Sequence, residues 1–193
     1  MSANVQPQVA CDVKDPALAD NGKLRTEGAF HAMPVLQSIR KQFIKAQPFA
    51  RFRVTACLSL TAETANLIVL LKEGGASVTV CASHFAATED DVAAHLTRDH
   101  AIPAFAIQGA GADLAEQHLD AALEHRPNLI LDDGAILTAH IELKRSELLP
   151  EIVGGVEQSA AGISRLRSLG KDGLTPFPIL ATTDSRTIRL IEN

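Results

Sequence analysis

Tryptophan and tyrosine are absent from the 193 residues, and the seven phenylalanines are scattered. No aromatic platform for stacking single-stranded bases is therefore present. No block of Lys or Arg stands out against a net charge of −5, which disfavours nucleic acid and anionic membrane as partners. Cysteine is scarce and odd in number: Cys11, Cys57 and Cys81, with no CxxC or other metal spacing. Cys57 and Cys81 sit in apolar, strand-like runs and read as reduced core thiols of a cytoplasmic protein, not as a disulfide framework or a metal site. No apolar stretch approaches about 18 residues, and the N-terminus lacks a basic flank followed by an apolar run, so neither a membrane span nor a leader is expected. Glycine-rich phosphate loops are missing as well. There is no P-loop, and Gly109-Ala110-Gly111 lacks the third glycine and downstream acid of G-x-G-x-x-G, which argues against a dinucleotide site.

What is present is ample apolar content, 46%, beside an ordinary charged fraction of 21%, enough for one domain with a substantial core. Residues 1–14 are polar and aperiodic and read as a flexible arm, with the domain spanning 15–193. Asp15–Gly28 reads as irregular, with a turn at Asn21-Gly22. A helix fits Ala29 to about Gln47, where Met33, Leu36, Ile39, Phe43 and Ile44 share a face and Pro34 sits in the first turn. In Arg51–Gly75 a short strand with alternating Val54, Ala56 and Leu58 turns at Ser59-Leu60 into a helix capped by Thr61 and stopped by Gly74-Gly75. Strands are expected at 52–58, 76–81, 102–107, 128–132 and 177–181. Helices are expected from Thr88, over Asp113–Glu124, from about Ala135 and over Glu157–Leu169, with Leu148–Gly154 as a connector. Alternating strands and helix-length crossovers indicate an α/β, Rossmann-like, doubly wound and mostly parallel sheet.

Open sheets of this kind bind small molecules at the carboxyl ends of their strands. Polar residues gather there: Ser59, Thr61, Glu63 and Thr64; Ser83 and His84; Asp132 and Asp133; Glu157, Gln158 and Ser159; and Thr182 to Ser185. Each has a second reading. Thr61 and Glu63 serve equally as cap and first-turn acid, Asp132-Asp133 as the cap of the next helix, and His84 as a surface loop residue. On the functional reading, a histidine near carboxylates does general acid–base work.

Several segments carry a further signal. They are Leu18-Ala-Asp20 with Met33-Pro34, Cys57-Leu-Ser-Leu-Thr-Ala-Glu-Thr-Ala65, Thr88-Glu-Asp-Asp-Val-Ala-Ala94, Leu129-Ile-Leu-Asp-Asp-Gly134 and Gly154-Gly-Val-Glu-Gln-Ser-Ala-Ala-Gly162, then Phe177-Pro178 and Asp184-Ser185. In order and spacing, over about residues 12–193, the set resembles the substrate-binding domain of the S-adenosylhomocysteine hydrolase (adenosylhomocysteinase) family, roughly the first half of a member. The resemblance implies an adenosine-contacting Thr61 beside Glu63 and Thr64, and a ribose-side Asp133.

It also marks departures. Ser59 stands where the family has the His of C-L-H-M-T. The family's two glutamates and three threonines become Glu157-Gln158-Ser159-Ala160-Ala161, so a substrate-contacting glutamate is Gln158 and Ser159 alone keeps a hydroxyl of the cofactor-contacting threonines. Ile188 occupies the catalytic lysine position; Glu192 and Asn193 fall on the aspartate and asparagine that follow. The family uses NAD, yet no NAD-binding domain follows in this sequence, so no cofactor is expected on this chain. The resemblance therefore implies a protein that binds a nucleoside or nucleoside thioether without performing the full NAD-dependent hydrolysis alone. Two alternatives stand beside it. One is an NAD-independent nucleoside-processing enzyme with Asp133 and His84 as the acid–base pair; the other is a regulatory or structural partner of a full-length homologue. Self-association or an NAD-domain partner is also implied.

Overall fold

Periodicity and caps partition the chain in the computed structural model, which describes residues 10–171 and 177–185. The first half holds β1 (Asp12–Val13), α1 (Ala19–His31), α2 (Pro34–Ala46), β2 (Arg53–Leu58), α3 (Ala62–Glu73), β3 (Ser77–Ala82) and α4 (Asp90–His100). The second holds β4 (Ala104–Ala106), α5 (Ala112–Leu123), β5 (Leu129–Asp132), α6 (Ile136–Lys144), β6 (Gly154–Glu157), α7 (Ala160–Lys171) and β7 (Ile179–Ala181). All the described strands are parallel, in the order β1-β4-β3-β2-β5-β6-β7. Apart from β1, this is the doubly wound order in which the chain runs outward from a central strand, then returns and runs outward on the other side. The reversal falls at β2, with β3 on one flank and β5 on the other.

β2 is buried on both faces, and its alternation divides the core. Val54, Ala56 and Leu58 pack with Ile68 and Leu71 of α3 and with Val92 and Leu96 of α4. On the other face Cys57 joins Cys81, Phe105 and Ile130 against Leu119 and Leu123 of α5 and Leu137 and Ile141 of α6. A hydrogen bond with the Cys81 thiol, together with burial, pushes the Cys57 thiol well above its ordinary value, as expected of inert core thiols. No described helix is long and apolar enough to cross a membrane.

All five expected strands are present, each within two residues of its expected ends. The helices required more correction. Asp15–Gly28 is not irregular: after a short turn capped by Asp15, α1 begins at Ala19 and runs through Asn21-Gly22. Gly22 is helical because α1 lies against α4 there, where a methyl at Gly22 would overlap the Asp91 carbonyl. The single helix expected over 29–47 is the end of α1 and then α2. Pro34 excludes helical backbone from the residue before it, and Met33 sits at φ −115°, ψ 62°.

The expected connector Leu148–Gly154 is a short turn, Ser146–Glu151, followed by β6. Glu157 closes that strand, so the helix expected from Glu157 starts at Ala160. The Gly154-Gly155 pair has little strand propensity of its own; pairing with β5 and β7 on either side imposes the conformation. Order also begins before residue 15, since Asp12 and Val13 pair with Phe105 and Ala106. Residues 1–9 of the expected arm, and Ile188, Glu192 and Asn193, lie outside the described residues.

Candidate functional site

The carboxyl ends of β2, β3, β5 and β6 share one rim because the strands are parallel, and the reversal at β2 opens a crevice there. Three side chains from three strand ends meet at it. Asp133, just past β5, is 7% exposed, and its Oδ2 accepts a hydrogen bond from Ser83 Oγ at 3.0 Å. Ser83, just past β3, lies 3.5 Å from Ser59 Oγ, just past β2. His84 presents Nε2 at 3.6 Å from Asp133 Oδ2 and leaves 58% of its side chain exposed. An enclosed carboxylate flanked by hydroxyls and an accessible imidazole can accept from sugar hydroxyls and exchange protons with a bound molecule.

Thr61, Glu63 and Thr64 form a second group at the start of α3. Thr61 Oγ1 accepts from the Thr64 amide at 3.4 Å and donates to Glu63 Oε2 at 2.9 Å. The capping reading of Thr61 is therefore realised, and its group sits at the end of β2, beside the end of β5 that carries Asp133. The Thr61 amide donates to the Ser59 carbonyl at 3.1 Å, so the two groups are joined through the backbone. The loop after β3 is tied to α3 by the Glu89 carboxylate, which accepts from Ala62 N at 3.2 Å.

Asp132 also caps, as its second reading has it. Its Oδ1 accepts from the amides of Asp133, Ile136 and Leu137, and its Oδ2 from the amide and hydroxyl of Thr138. Burial pushes its carboxyl up, and the bonds from Thr138 and Leu137 oppose the rise. Glu157 is fully enclosed and faces no open space. Its oxygens accept from the amides of Gly134, Ala135 and Ser159 and from the Ser159 hydroxyl. Ser159 Oγ in turn accepts from the Gly134 and Gly162 amides. Gln158 is exposed, with its amide on the Asp132 carbonyl at 3.1 Å. Thr182 Oγ1 donates to the Glu157 carbonyl, and Asp184 pairs with Arg167 at 2.7 Å.

The rim was foreseeable from the strand ends, but the link from Ser83 to Asp133 was not, because it depends on β3 and β5 flanking β2. Among the described residues no cluster of His, Cys, Asp or Glu is arranged to hold a metal ion. A cavity of about 530 Å³ lies elsewhere, lined by residues of α1, α2, α3 and α4, and shares no residue with the rim. Its Arg40 is paired with Glu73, and its Arg98 and His95 with Asp99.

The family profile described as S-adenosyl-L-homocysteine hydrolase matches residues 10–148, the stretch that contains Ser59, Ser83 and Asp133. The chain is 42% identical over 187 residues to the adenosylhomocysteinase of Nostoc sp., covering 97% of this chain and 44% of that protein. It is 42% identical over 182 residues to that of Aquifex aeolicus (94% and 44%), and 40% identical over 181 residues to that of Thermococcus kodakarensis (94% and 43%). The chain thus spans less than half the length of these curated relatives. Since the profile covers most of the chain and takes in the strand ends that build the rim, the chain belongs to the S-adenosyl-L-homocysteine hydrolase family.

Proposed function

We propose that the crevice over β2 and β5 binds a nucleoside of the adenosine or S-adenosylhomocysteine type, with Asp133 on the ribose hydroxyls and Thr61 and Glu63 on the base side. The observation that supports this most directly is Asp133: an enclosed carboxylate at the topological switch of the sheet, held by Ser83 and facing His84. The relatives' name gives the thioether as the compound class. Ser59, Thr64, Gln158, Glu192 and Asn193 are further substrate positions on this reading, carried by the resemblance.

The residues present do not fit NAD. The Ser159 hydroxyl is committed to Glu157, Gly134 and Gly162. Ala160 and Ala161 bring no polar side-chain atoms, and the turn after β2, Ser59-Leu60-Thr61, contains no glycine for close approach of a pyrophosphate. With Ile188 at the lysine position of the resemblance, this chain alone binds without carrying out the NAD-dependent hydrolysis. The proximity of His84 to Asp133 favours one second reading, an NAD-independent nucleoside-processing enzyme in which this pair moves the proton.

Calorimetric titration tests the proposal. A carboxylate–hydroxyl hydrogen bond contributes about 1.5–3 kcal/mol, so Asp133→Ala is expected to weaken adenosine by roughly one to two decades. Parent affinity is expected at about tens of micromolar or weaker, since Ser59 and Gln158 lack the charged groups of the resemblance. NAD in the same cell is expected to give no binding heat; a micromolar or tighter NAD site would overturn that part. Unchanged adenosine binding in Asp133→Ala, or none at millimolar adenosine in the parent, would leave the structural-partner reading. Turnover of a nucleoside thioether that is lost in His84→Ala would establish the enzyme reading.

A further inference from the structure

β5 and β6 set Asp132 opposite Glu157, and both carboxylates are enclosed, at 2% and 0% exposure. Among the described residues, the amides of the backbone that follows β5 are held chiefly by these two side chains. Taken in order, the amide of residue 133 ends on Asp132, those of 134 and 135 on Glu157, and those of 136, 137 and 138 on Asp132 again. Among the described residues only Gly134 has an additional partner, Ser159 Oγ at 2.9 Å. Six consecutive amides are thus bound by two facing carboxylates.

The loop so held has an unfavourable backbone. Gly134 and Ala135 both lie in the left-handed region, at φ 85° and 53°, and for a residue with a Cβ that conformation costs about 1–3 kcal/mol. Enclosing two carboxyl groups on neighbouring strands adds a desolvation cost, which well-packed apolar residues would avoid. This expensive arrangement is applied to the one loop that carries Asp133.

We propose that Glu157, together with Asp132, is a positioning residue for Asp133, and that the two hold residues 133–138 so that the Asp133 carboxylate stays against Ser83 and opens on the crevice. The proposal rests on the nucleoside-binding reading for its functional consequence, while the clamp itself is independent of any ligand. Glu157 touches no open space and acts only through the backbone it binds. Glutamine in its place preserves the volume but accepts at one end only, setting an NH2 group against an amide donor, either Ala135 N or the Gly134 and Ser159 set.

The experiment uses the full chain and a double-mutant cycle read at a temperature where every variant is folded. Glu157→Gln is expected to weaken adenosine at least tenfold. In the Asp133→Ala background the same substitution is expected to have no further effect, because the lost contact is the one it positions. Additive losses, as a merely structural role would give, overturn the proposal, as does unchanged affinity in Glu157→Gln. Amide hydrogen exchange provides the ligand-free measurement. Gly134 and Ala135 are expected to exchange at least tenfold faster in Glu157→Gln while β2 amides keep their rates; equal rates at Gly134 and Ala135 overturn the clamp. If the parent binds no adenosine, the nucleoside reading fails while the exchange result still decides the clamp. Should Glu157→Gln fail to fold, Ser159→Ala removes the hydroxyl that binds the Gly134 and Gly162 amides and Glu157 Oε1, and unchanged exchange at Gly134 with unchanged adenosine affinity there would overturn the proposal.

Discussion

A glycine inside a helix is ordinarily a weakness, and replacing it by alanine gains about 1 kcal/mol in helix propensity. Gly162, in the first turn of α7, reverses that sign. It is buried, its amide donates to Ser159 Oγ, and a methyl built on it would overlap the Glu157 carboxyl group. That carboxyl cannot yield, because each of its oxygens is already bonded to backbone amides. Overpacking of this kind costs about 1–3 kcal/mol, which in a domain of this size is roughly a 2–12 °C fall in Tm. Gly162→Ala is therefore expected to melt lower than the parent in a calorimetric scan, and a higher Tm would show that Glu157 is less firmly held than described. The rim follows the same logic at the level of single side chains. Residues that read as ligand contacts from their position at strand ends divide into those facing the crevice, such as Asp133, and those consumed in building it, such as Asp132 and Glu157.

Among the elements, α1 shows where local signals fail. Asn-Gly is a turn dipeptide by propensity, yet at Asn21-Gly22 the chain is helical because α4 presses on it and leaves room for hydrogen only. Arg25 reaches Asp91 at 3.1 Å, and Arg98 reaches Asp20 at 2.8 Å, on either side of that contact. Gly22→Ala is expected to destabilise by about 1–3 kcal/mol despite the better helix former, read as a lower midpoint at unchanged m-value in urea. An unchanged midpoint would mean that α1 and α4 shift apart without cost. The strands were legible because Val54, Ala56 and Leu58 alternate within a short run bounded by turn residues, a local pattern. β6 was not, because Gly154-Gly155 takes its extended form from neighbours far along the chain. The split of α1 from α2 was readable in principle, since Pro34 restricts Met33. The pairing of Ser83 with Asp133 was not, since nothing near either residue reports strand order.

At the scale of the whole molecule, a sheet wound outward from β2 in both directions brings its chemistry to one rim and leaves β1 as an addition at one edge. β1 is two residues long and is secured by side chains: Asp12 pairs with His118 Nε2 at 2.9 Å and Lys14 with Asp90 at 3.0 Å. Thr55 lies opposite Thr79, but Asp12 lies opposite Phe105. Those separations set an order of assembly in time. Contacts between distant residues are entropically costly until the intervening chain is compact, so β1 can join only after β2, β3 and β4 have formed the edge it pairs with. Its interactions are then absent from the folding transition state, and interactions of that kind govern how fast a protein comes apart, not how fast it forms. A chain lacking residues 1–14 is expected to refold at the parent's rate and unfold faster in stopped-flow chevrons, whereas slower refolding would place β1 in the nucleus. The earliest described strand in the sequence is in this sense the latest in the fold, a latch that sets the lifetime of the native state.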